Sequence, residues 1–331
     1  MPSIPMSAEA APLLAVEDLS VRFKLPQGWV TAVDHVGFSI RPGEVVGVVG
    51  ESGSGKSQIL LSVMGLLASN GRATGSVRFR GTELLNRPMA ELDGIRGSAL
   101  SMIFQDPMTS LNPYMRVNEQ LTEVLTIHQG MSEAQALKAA TEMLERVRIP
   151  DARRRITLYP HEFSGGMRQR VMIAMALLCK PAMLLADEPT TALDVTVQAQ
   201  ILELMSELAR DLGTAVAIVT HDLGVIARLC DRVIVLYGGR VMEEGAVDDI
   251  FHDTRHPYTS GLLAATPRLD EVTHGELRTI PGQPRAAMGD IPGCPFAPRC
   301  GLKQDICAET PPLKSGQAGH RLACHMREVH S

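Results

Sequence analysis

The sequence predicts an α/β protein built on a parallel sheet, and three neighbouring stretches lead to this prediction. The apolar runs AMLLADE (182–188) and AVAIVTHD (215–222) have the length and composition of buried parallel strands. Between them, TVQAQILELMSELARDLG has the spacing of a helix and ends at a glycine. A strand, a crossover helix and a second strand form a βαβ unit, which implies a parallel sheet with helices across its faces.

The other elements follow from the same periodicities. Residues 16–49 read as strands broken by turns at LPQG and RPG, and they end in the apolar run EVVGVVG. Helices are predicted over Lys56–Leu67, over 118–147 and in the apolar segment VMIAMALLC, and RVIVLYGGRVMEEG reads as a hairpin turning at residues 238–239. After about residue 252 prolines recur, which predicts a loop-rich tail with too little apolar periodicity for a large core of its own.

Composition and charge indicate which classes of protein this sequence can belong to. The 331 residues suit one large domain with an appendage, or two domains, and 45% hydrophobic with 21% charged residues is ordinary for a globular protein. The formal net charge of −5 excludes a globally basic nucleic-acid binder, so no nucleic-acid partner is expected. The N-terminal stretch lacks a basic region, and nowhere do about 18 apolar residues run unbroken, so we expect a cytoplasmic protein that does not span a membrane.

The segment GESGSGKS matches the phosphate-binding pattern G-x-x-x-x-G-K-[ST], and it lies between a predicted strand and a predicted helix, as that pattern requires. Its glycines allow backbone N–H groups to face phosphate oxygens at the helix N-terminus. Lys56 is expected to reach the β and γ phosphates, and the Ser57 hydroxyl to ligate Mg²⁺. The predicted nucleotide-binding residues of this phosphate loop are Gly50, Glu51, Ser52, Gly53, Ser54, Gly55, Lys56 and Ser57.

The segment MLLADE supplies a second element of such a site. Asp187 is predicted to hold Mg²⁺, directly or through water, and Glu188 to orient and polarise the attacking water. An apolar strand that ends in Asp-Glu is common by itself. Combined with the phosphate loop, it indicates a nucleoside triphosphatase.

The segment FSGGMRQR, which begins at Phe163, resembles the signature motif of ATP-binding cassette (ABC) ATPases, usually written L-S-G-G-Q. Ser164, Gly165 and Gly166 open a helix, so their N–H groups make a second anion site. The resemblance implies that two cassettes dimerise head to tail and that this helix end faces the ATP of the other cassette. Met167 stands where the family has glutamine, whose hydrogen bond it cannot make in the same way, so the contact in trans is expected from the Ser-Gly-Gly residues.

Further positions match this family one by one. Gln105 in IFQDP resembles the Q-loop glutamine, which contacts Mg²⁺ and water and senses a transmembrane partner, and Ala192–Asp194 resembles the D-loop at the dimer seam. His221 resembles the switch histidine that contacts the γ-phosphate, and Phe23 the aromatic that stacks on adenine. The resemblance therefore implies catalytic roles for Glu188, His221 and Gln105, Mg²⁺ contacts from Ser57, Gln105 and Asp187, and nucleotide contacts from Phe23 and Asp194.

The resemblance covers about residues 13–250 and implies a P-loop NTPase cassette. This fold has a RecA-like parallel-sheet core, an antiparallel β edge and a helical subdomain at about 90–180. The predicted division is a flexible N-terminus (1–12), the cassette (13–252) and a small loop-rich C-terminal extension (253–331).

The tail narrows the family further. HPYTSGLLAATPRL, IPGQP and GCPFAPRC are similar to the C-terminal extension of oligopeptide and dipeptide importer ATPases, and FQDPMTSLNP is similar to the same subgroup. The resemblance implies ATP hydrolysis that powers peptide import at the cytoplasmic face of the bacterial inner membrane. The implied partners are a second cassette of paralogous sequence, two transmembrane permeases and, indirectly, an extracytoplasmic solute-binding protein. Nickel and glutathione importers are alternatives, and a soluble ABC ATPase without a transport role is a more distant one.

Four cysteines in the tail have the spacing C-x5-C-x6-C-x16-C. Disulfides are rare in the cytoplasm, and four thiolates suit either tetrahedral zinc or a [4Fe-4S] cluster. The resemblance to importer ATPases implies the cluster, with zinc as the second interpretation and unliganded thiols as the third. Its expected role is to staple a tail that has little core. The predicted ligands are Cys294, Cys300, Cys307 and Cys324.

Overall fold

The computed structural model describes residues 11–105, 110–190, 194–265, 279–283, 291–316 and 319–329. Within these ranges the strands form two sheets, one of four strands and one of eight. In the described part of the chain no helix is both long enough and apolar enough to cross a membrane.

The eight-stranded sheet forms the centre of the fold, in the order β11-β12-β10-β9-β3-β8-β7-β6. The strands β6, β7, β8, β3 and β9 are parallel, and all side chains of β3, β7 and β8 are buried, as their continuous apolar sequences predict. The hairpin predicted at residues 238–239 joins β9 to β10. The strands are β3 (Val45–Val49), β6 (Leu100–Ile103), β7 (Met183–Asp187), β8 (Ala215–Val219), β9 (Arg232–Tyr237), β10 (Arg240–Ala246), β11 (Lys314–Ser315) and β12 (Arg321–Leu322).

The four-stranded sheet is antiparallel and provides the predicted β edge. Its order is β2-β1-β4-β5, where β1 spans Leu14–Leu25, β2 Gly28–Ile40, β4 Gly71–Phe79 and β5 Thr82–Glu83. Its apolar side chains share one core with side chains of helix α1 and of the central sheet. The antiparallel sheet therefore packs over the helix that follows the phosphate loop.

The helices lie on and beside the central sheet. They are α1 (Lys56–Met64), α2 (Met89–Asp93), α3 (Val117–Gln129), α4 (Glu133–Arg146), α5 (Ala152–Arg155), α6 (Gly165–Leu177), α7 (Val195–Leu212), α8 (Leu223–Leu229), α9 (Val247–His252) and α10 (Pro257–Ala265). The predicted βαβ unit is confirmed as β7-α7-β8.

Two helix predictions were too long. The helix predicted over 118–147 is two helices, because Gly130 adopts a left-handed conformation (φ 62°) that ends α3, and Ser132 starts α4 with a capping box completed by Gln135. Helix α1 ends at Met64 rather than Leu67, because Gly65 takes the same left-handed conformation (φ 62°).

The tail is joined to the central sheet rather than separate from it. Strand β12 pairs with β10, so that Glu243 lies opposite Leu322 and Glu244 opposite Arg321. The Glu243 carboxylate is buried and bonded by the His320 ring at 2.9 Å. These contacts attach the proposed C-terminal extension firmly to the cassette.

Candidate active site

The candidate site lies at the carboxyl edge of the parallel strands. The phosphate loop follows β3, His221 follows β8, Asp187 and Glu188 end β7, and Gln105 follows β6. These four strands are neighbours in the order β3-β8-β7-β6. Because parallel strands end at the same edge, residues separated by more than 160 positions in sequence meet there.

The phosphate loop requires glycine at two crowded positions. Gly50 has φ 152°, and a Cβ there would lie 2.2 Å from the Leu236 carbonyl oxygen. Gly55 has φ 99°, and a Cβ would lie 2.4 Å from the Ala32 carbonyl oxygen. Gly55 is also the N-cap of α1 and has no side-chain cap, so the first N–H groups of the helix are available to an anion.

Lys56 lies inside the curve of the loop. Its ammonium donates to the carbonyl oxygens of Gly50 at 2.8 Å and Glu51 at 2.9 Å, and burial lowers its pKa, an effect opposed by the nearby Glu188, Asp187 and Glu51 carboxylates. Since the side chain is buried and held by backbone carbonyls, its positive charge is directed to the place where the loop can receive phosphate.

Ser57 and Asp187 form an oxygen-donor pair at the start of α1. The Ser57 hydroxyl donates to Asp187 Oδ1 at 3.0 Å, and the Asp187 carboxylate is buried. Burial raises its pKa, partly offset by the Ser57 hydrogen bond. A hydroxyl beside a carboxylate is the donor set that Mg²⁺ accepts when phosphate and water complete its octahedron, so the residues fit the predicted ion. Bound there, Mg²⁺ would neutralise phosphate charge.

We expect Ser57→Ala to raise the Mg²⁺ concentration needed for half-maximal ATPase activity about tenfold, as estimated for one lost charge-assisted hydrogen-bonding group. The fold should not change, because the half-buried Ser57 hydroxyl contributes a single hydrogen bond, to Asp187. A Mg²⁺ titration of ATP hydrolysis checks this. The control is Ser98→Ala, which removes a half-buried hydroxyl bonded to backbone carbonyl oxygens of its own turn. An unchanged Mg²⁺ dependence in Ser57→Ala would contradict the assignment.

Glu188 is held at the centre of the predicted catalytic residues. It has φ 44°, an uncommon conformation for a residue with a Cβ, and its N–H donates to the Val219 carbonyl at 2.9 Å, which fixes the turn after β7. The Gln105 amide donates to Glu188 Oε2 at 3.3 Å, and His221 Nδ1 lies 3.9 Å from Glu188 Oε1. The three residues with predicted catalytic roles therefore meet, with the carboxylate between the amide and the imidazole.

The Ser-Gly-Gly segment is presented outward at the start of α6. Ser164 and Gly165 are exposed, and the Ser164 hydroxyl accepts from the Met167 N–H at 3.4 Å as the N-cap. Phe163 is buried and Met167 is half-buried against the core. The two departures from the usual motif therefore face inward, and the exposed helix start can receive a group from outside this chain.

Two predicted nucleotide contacts have local structural partners. Phe23 is half-buried on β1, and its ring packs against Gly71, where a Cβ would lie 2.8 Å from the ring. Asp194 caps α7, accepting from the Val197 N–H at 3.0 Å. Ala192 and Leu193 of the predicted D-loop lie outside the described residues, and the roles of Phe23 and Asp194 remain predictions.

The prediction of an iron–sulfur or zinc site in the tail is wrong. All four cysteines lie in described segments as free thiols, and among the described residues no group of three or more His, Cys, Asp or Glu side chains could hold a metal ion. Burial raises the pKa of Cys294 and of Cys300, which favours the neutral thiol over the thiolate that a metal requires. Backbone hydrogen bonds, such as that from Cys294 N–H to the Cys307 carbonyl at 3.0 Å, organise this segment instead.

Sequence reasoning missed two residues that contact the phosphate loop from the tail. The Tyr258 hydroxyl accepts from the Glu51 N–H at 2.9 Å, and the Arg299 guanidinium pairs with the Glu51 carboxylate at 2.6 Å. The segments HPYT and CPFAPRC contain both residues, but nothing in their sequence indicates contact with a loop more than 200 positions away.

Comparisons with known proteins found similarity over nearly the whole chain. Residues 33–191 match the ABC transporter family, and residues 242–307 match the family described as "Oligopeptide/dipeptide transporter, C-terminal region". The chain is 57% identical over 312 residues to the oligopeptide transport ATP-binding protein OppD of Salmonella typhimurium (94% of this chain, 93% of that protein). It is 48% identical over 323 residues to a putative peptide import ATP-binding protein of Brucella abortus (97% of each). Neither name refers to an iron–sulfur cluster.

Solved structures show the same fold. A dimeric ATP-binding cassette in a post-hydrolysis state with ADP and Pi has a TM-score of 0.64 at 30% identity, covering 71% of this chain and 98% of that one. A dimeric bacterial ABC transporter cassette has a TM-score of 0.63 at 31% identity, covering 71% and 98%. The fold prediction is thus confirmed, and the chain belongs to the ABC transporter family as one of its ATP-hydrolysing, ATP-binding subunits.

Proposed function

We propose that this chain hydrolyses ATP to power the import of dipeptides or oligopeptides. The observation that carries the substrate class is the match of residues 242–307 to the oligopeptide/dipeptide transporter C-terminal region. The near full-length similarity to a protein named for oligopeptide transport supports it. Nickel and glutathione are the competing solutes.

In this proposal the site acts as follows. The phosphate loop and Lys56 would bind the β and γ phosphates, and Ser57, Asp187 and Gln105 would hold Mg²⁺, which would neutralise phosphate charge. Glu188 accepts a proton from the attacking water, while Gln105 and His221 position that water and the γ-phosphate. The hydrogen-bonded contact of Gln105 with Glu188 and the proximity of His221 support these roles.

The complete site is proposed to need a second cassette, a paralogue docked head to tail. The exposed Ser164 and Gly165 support this, because the helix start they form is presented to solvent rather than inward. Phosphate oxygens bound in the partner would accept from the N–H groups at this end of α6.

Two permease subunits are proposed to complete the complex at the cytoplasmic face of the bacterial inner membrane, with an extracytoplasmic binding protein delivering the solute. A cavity of about 270 Å³ lies between β6 and α6, lined by Met102, Phe104, Met172 and Met175 among others. Phe104, which immediately precedes Gln105 in the chain, lines this cavity and is exposed. An apolar, methionine-rich cavity next to a catalytic residue suits a permease segment whose movement is coupled to hydrolysis.

Reconstitution tests the proposed function. The chain, its two permeases and the second cassette would be placed in proteoliposomes with ATP and Mg²⁺ enclosed inside them and the binding protein and peptide outside. We expect ATP-dependent accumulation of a labelled tripeptide, competed by unlabelled di- and tripeptides. Competition by Ni²⁺ or glutathione, with no effect of peptides, would contradict the peptide assignment. Purification without any membrane subunit would contradict the import role.

A further inference from the structure

Two residues of the tail form hydrogen bonds with Glu51 of the phosphate loop. Arg299 binds its carboxylate with two parallel hydrogen bonds, from Nη1 to Oε2 at 2.6 Å and from Nη2 to Oε1 at 3.1 Å. The backbone N–H of the same residue donates to the hydroxyl of Tyr258 at 2.9 Å. Both the side chain and the main chain of Glu51 are therefore fixed by residues that come after the cassette.

Every N–H group of the Arg299 guanidinium donates a hydrogen bond. Besides Glu51, Nε donates to the Pro281 carbonyl at 2.8 Å, Nη1 to the Tyr237 hydroxyl at 3.2 Å and Nη2 to the Ile280 carbonyl at 3.2 Å. Its five N–H groups thus meet five acceptors, and the side chain is only 5% exposed. A lysine has three donors and no planar fork, so it could not reproduce this arrangement.

An aromatic cluster fixes the two contacting side chains. The rings of Tyr237, Tyr258 and Phe296 pack against one another with centroids 4.6 to 5.3 Å apart, and the Arg299 guanidinium lies 5.7 Å from the centroid of the Tyr237 ring. Tyr237 ends β9, whereas Phe296 belongs to the tail. The cluster therefore ties the tail to the sheet immediately beneath the phosphate loop.

The negative charge of Glu51 makes these contacts relevant to the binding of phosphate groups. A carboxylate in a loop that wraps phosphates repels a polyanion, and partial burial leaves that repulsion poorly screened. Glu51 is 21% exposed, and its pairing with Arg299 neutralises it where the repulsion would act. The same bonds hold the loop backbone in place before the ligand arrives, which lowers the ordering cost of binding.

We propose that Arg299 and Tyr258 are positioning residues for ATP binding, through which the C-terminal extension neutralises Glu51 and holds the phosphate loop in its nucleotide-binding conformation. The inference rests on the assignment of residues 50–57 as the ATP site. Any event that lifts the tail away from Tyr237 would weaken ATP binding by releasing Glu51 from Arg299 and Tyr258.

The test measures ATP affinity and steady-state kinetics on the full chain in its complex. We expect Arg299→Met to raise KM for ATP and the Kd of ATP about tenfold, the loss estimated for one charged hydrogen-bonded pair, with kcat changed less than about threefold. Tyr258→Phe keeps the ring and removes the acceptor, so a smaller rise of about threefold is expected. Arg327→Met, an exposed arginine in the same tail, is the matched control and should equal the wild type.

A double variant distinguishes the loss of charge neutralisation at Glu51 from a general loosening of the tail. If Arg299 acts by neutralising Glu51, Glu51→Gln combined with Arg299→Met should recover most of the ATP affinity lost in Arg299→Met. A double variant as weak as Arg299→Met would overturn the charge argument, and a wild-type affinity in Arg299→Met would overturn the proposal. Circular dichroism and thermal unfolding confirm that each variant folds. If Lys56→Ala also bound ATP normally, the fault would lie in the assignment of the ATP site.

Discussion

Lys56→Ala is expected to weaken ATP binding about 10- to 100-fold and to abolish measurable turnover. The estimate follows from losing a charged donor to phosphate, worth about 1.5 to 3 kcal/mol, in a buried place that no other cation of the loop can fill. Its ammonium is held by the Gly50 and Glu51 carbonyls, so removal also leaves those acceptors without their donor. Equilibrium binding of a fluorescent ATP analogue and release of inorganic phosphate measure the two effects.

The control for this variant is Lys138→Ala. Lys138 is exposed on α4 and its only described ionic contact is with Glu142, at 3.9 Å one turn away. Since exposed pairs contribute little, binding and turnover should be those of the wild type. Nucleotide binding by Lys56→Ala at wild-type affinity would refute the role given to the loop.

Glu188→Gln is expected to separate binding from hydrolysis. The glutamine has nearly the same shape and keeps the position beside Gln105 and His221, so ATP should bind with about wild-type affinity. It cannot accept a proton from water, and the loss of a general base lowers the rate about 10²- to 10⁴-fold. Single-turnover hydrolysis and ATP binding are the two measurements.

The same variant should accumulate the ATP-bound closed dimer, because the step that opens it is blocked. Size-exclusion chromatography of this chain mixed with the second cassette, ATP and Mg²⁺ would show this as an earlier-eluting species absent from the wild type. Glu207→Gln, an exposed glutamate paired with Arg148 on the surface, is the control. Hydrolysis by Glu188→Gln at the wild-type rate would show that another residue activates the water.

The sequence was sufficient for most of the fold. Continuous apolar runs identified β3, β7 and β8 as buried parallel strands, and a helix between two of them fixed the βαβ unit, since these features depend on local burial and periodicity. It was less reliable at helix ends. Gly65 and Gly130 end their helices through a left-handed backbone conformation, whereas the apolar spacing on both sides of Gly130 continues as if one helix ran through.

In the site, too, features carried by adjacent residues could be predicted from the sequence, whereas features that depend on three-dimensional packing could not. Motifs that are contiguous in sequence, such as GESGSGKS, indicated phosphate binding because their chemistry is carried by adjacent residues. The tail cysteines are different. Their count and spacing suggested a metal, yet ligation requires side chains to converge in three dimensions, and the described fold does not bring three metal-binding groups together there.

By itself, then, the sequence determined the parallel-sheet class and the phosphate loop, and it predicted Gln105, Asp187, Glu188 and His221 as further residues of the site. The tertiary structure alone decided that Gln105 and His221 flank Glu188, and that Arg299 and Tyr258 reach back to Glu51. The physical reason is the separation along the chain between the residues that interact. Secondary structure and loop chemistry are set by neighbours along the chain, whereas pairing a carboxylate with a guanidinium 248 residues away depends on how sheet, aromatic cluster and tail pack together.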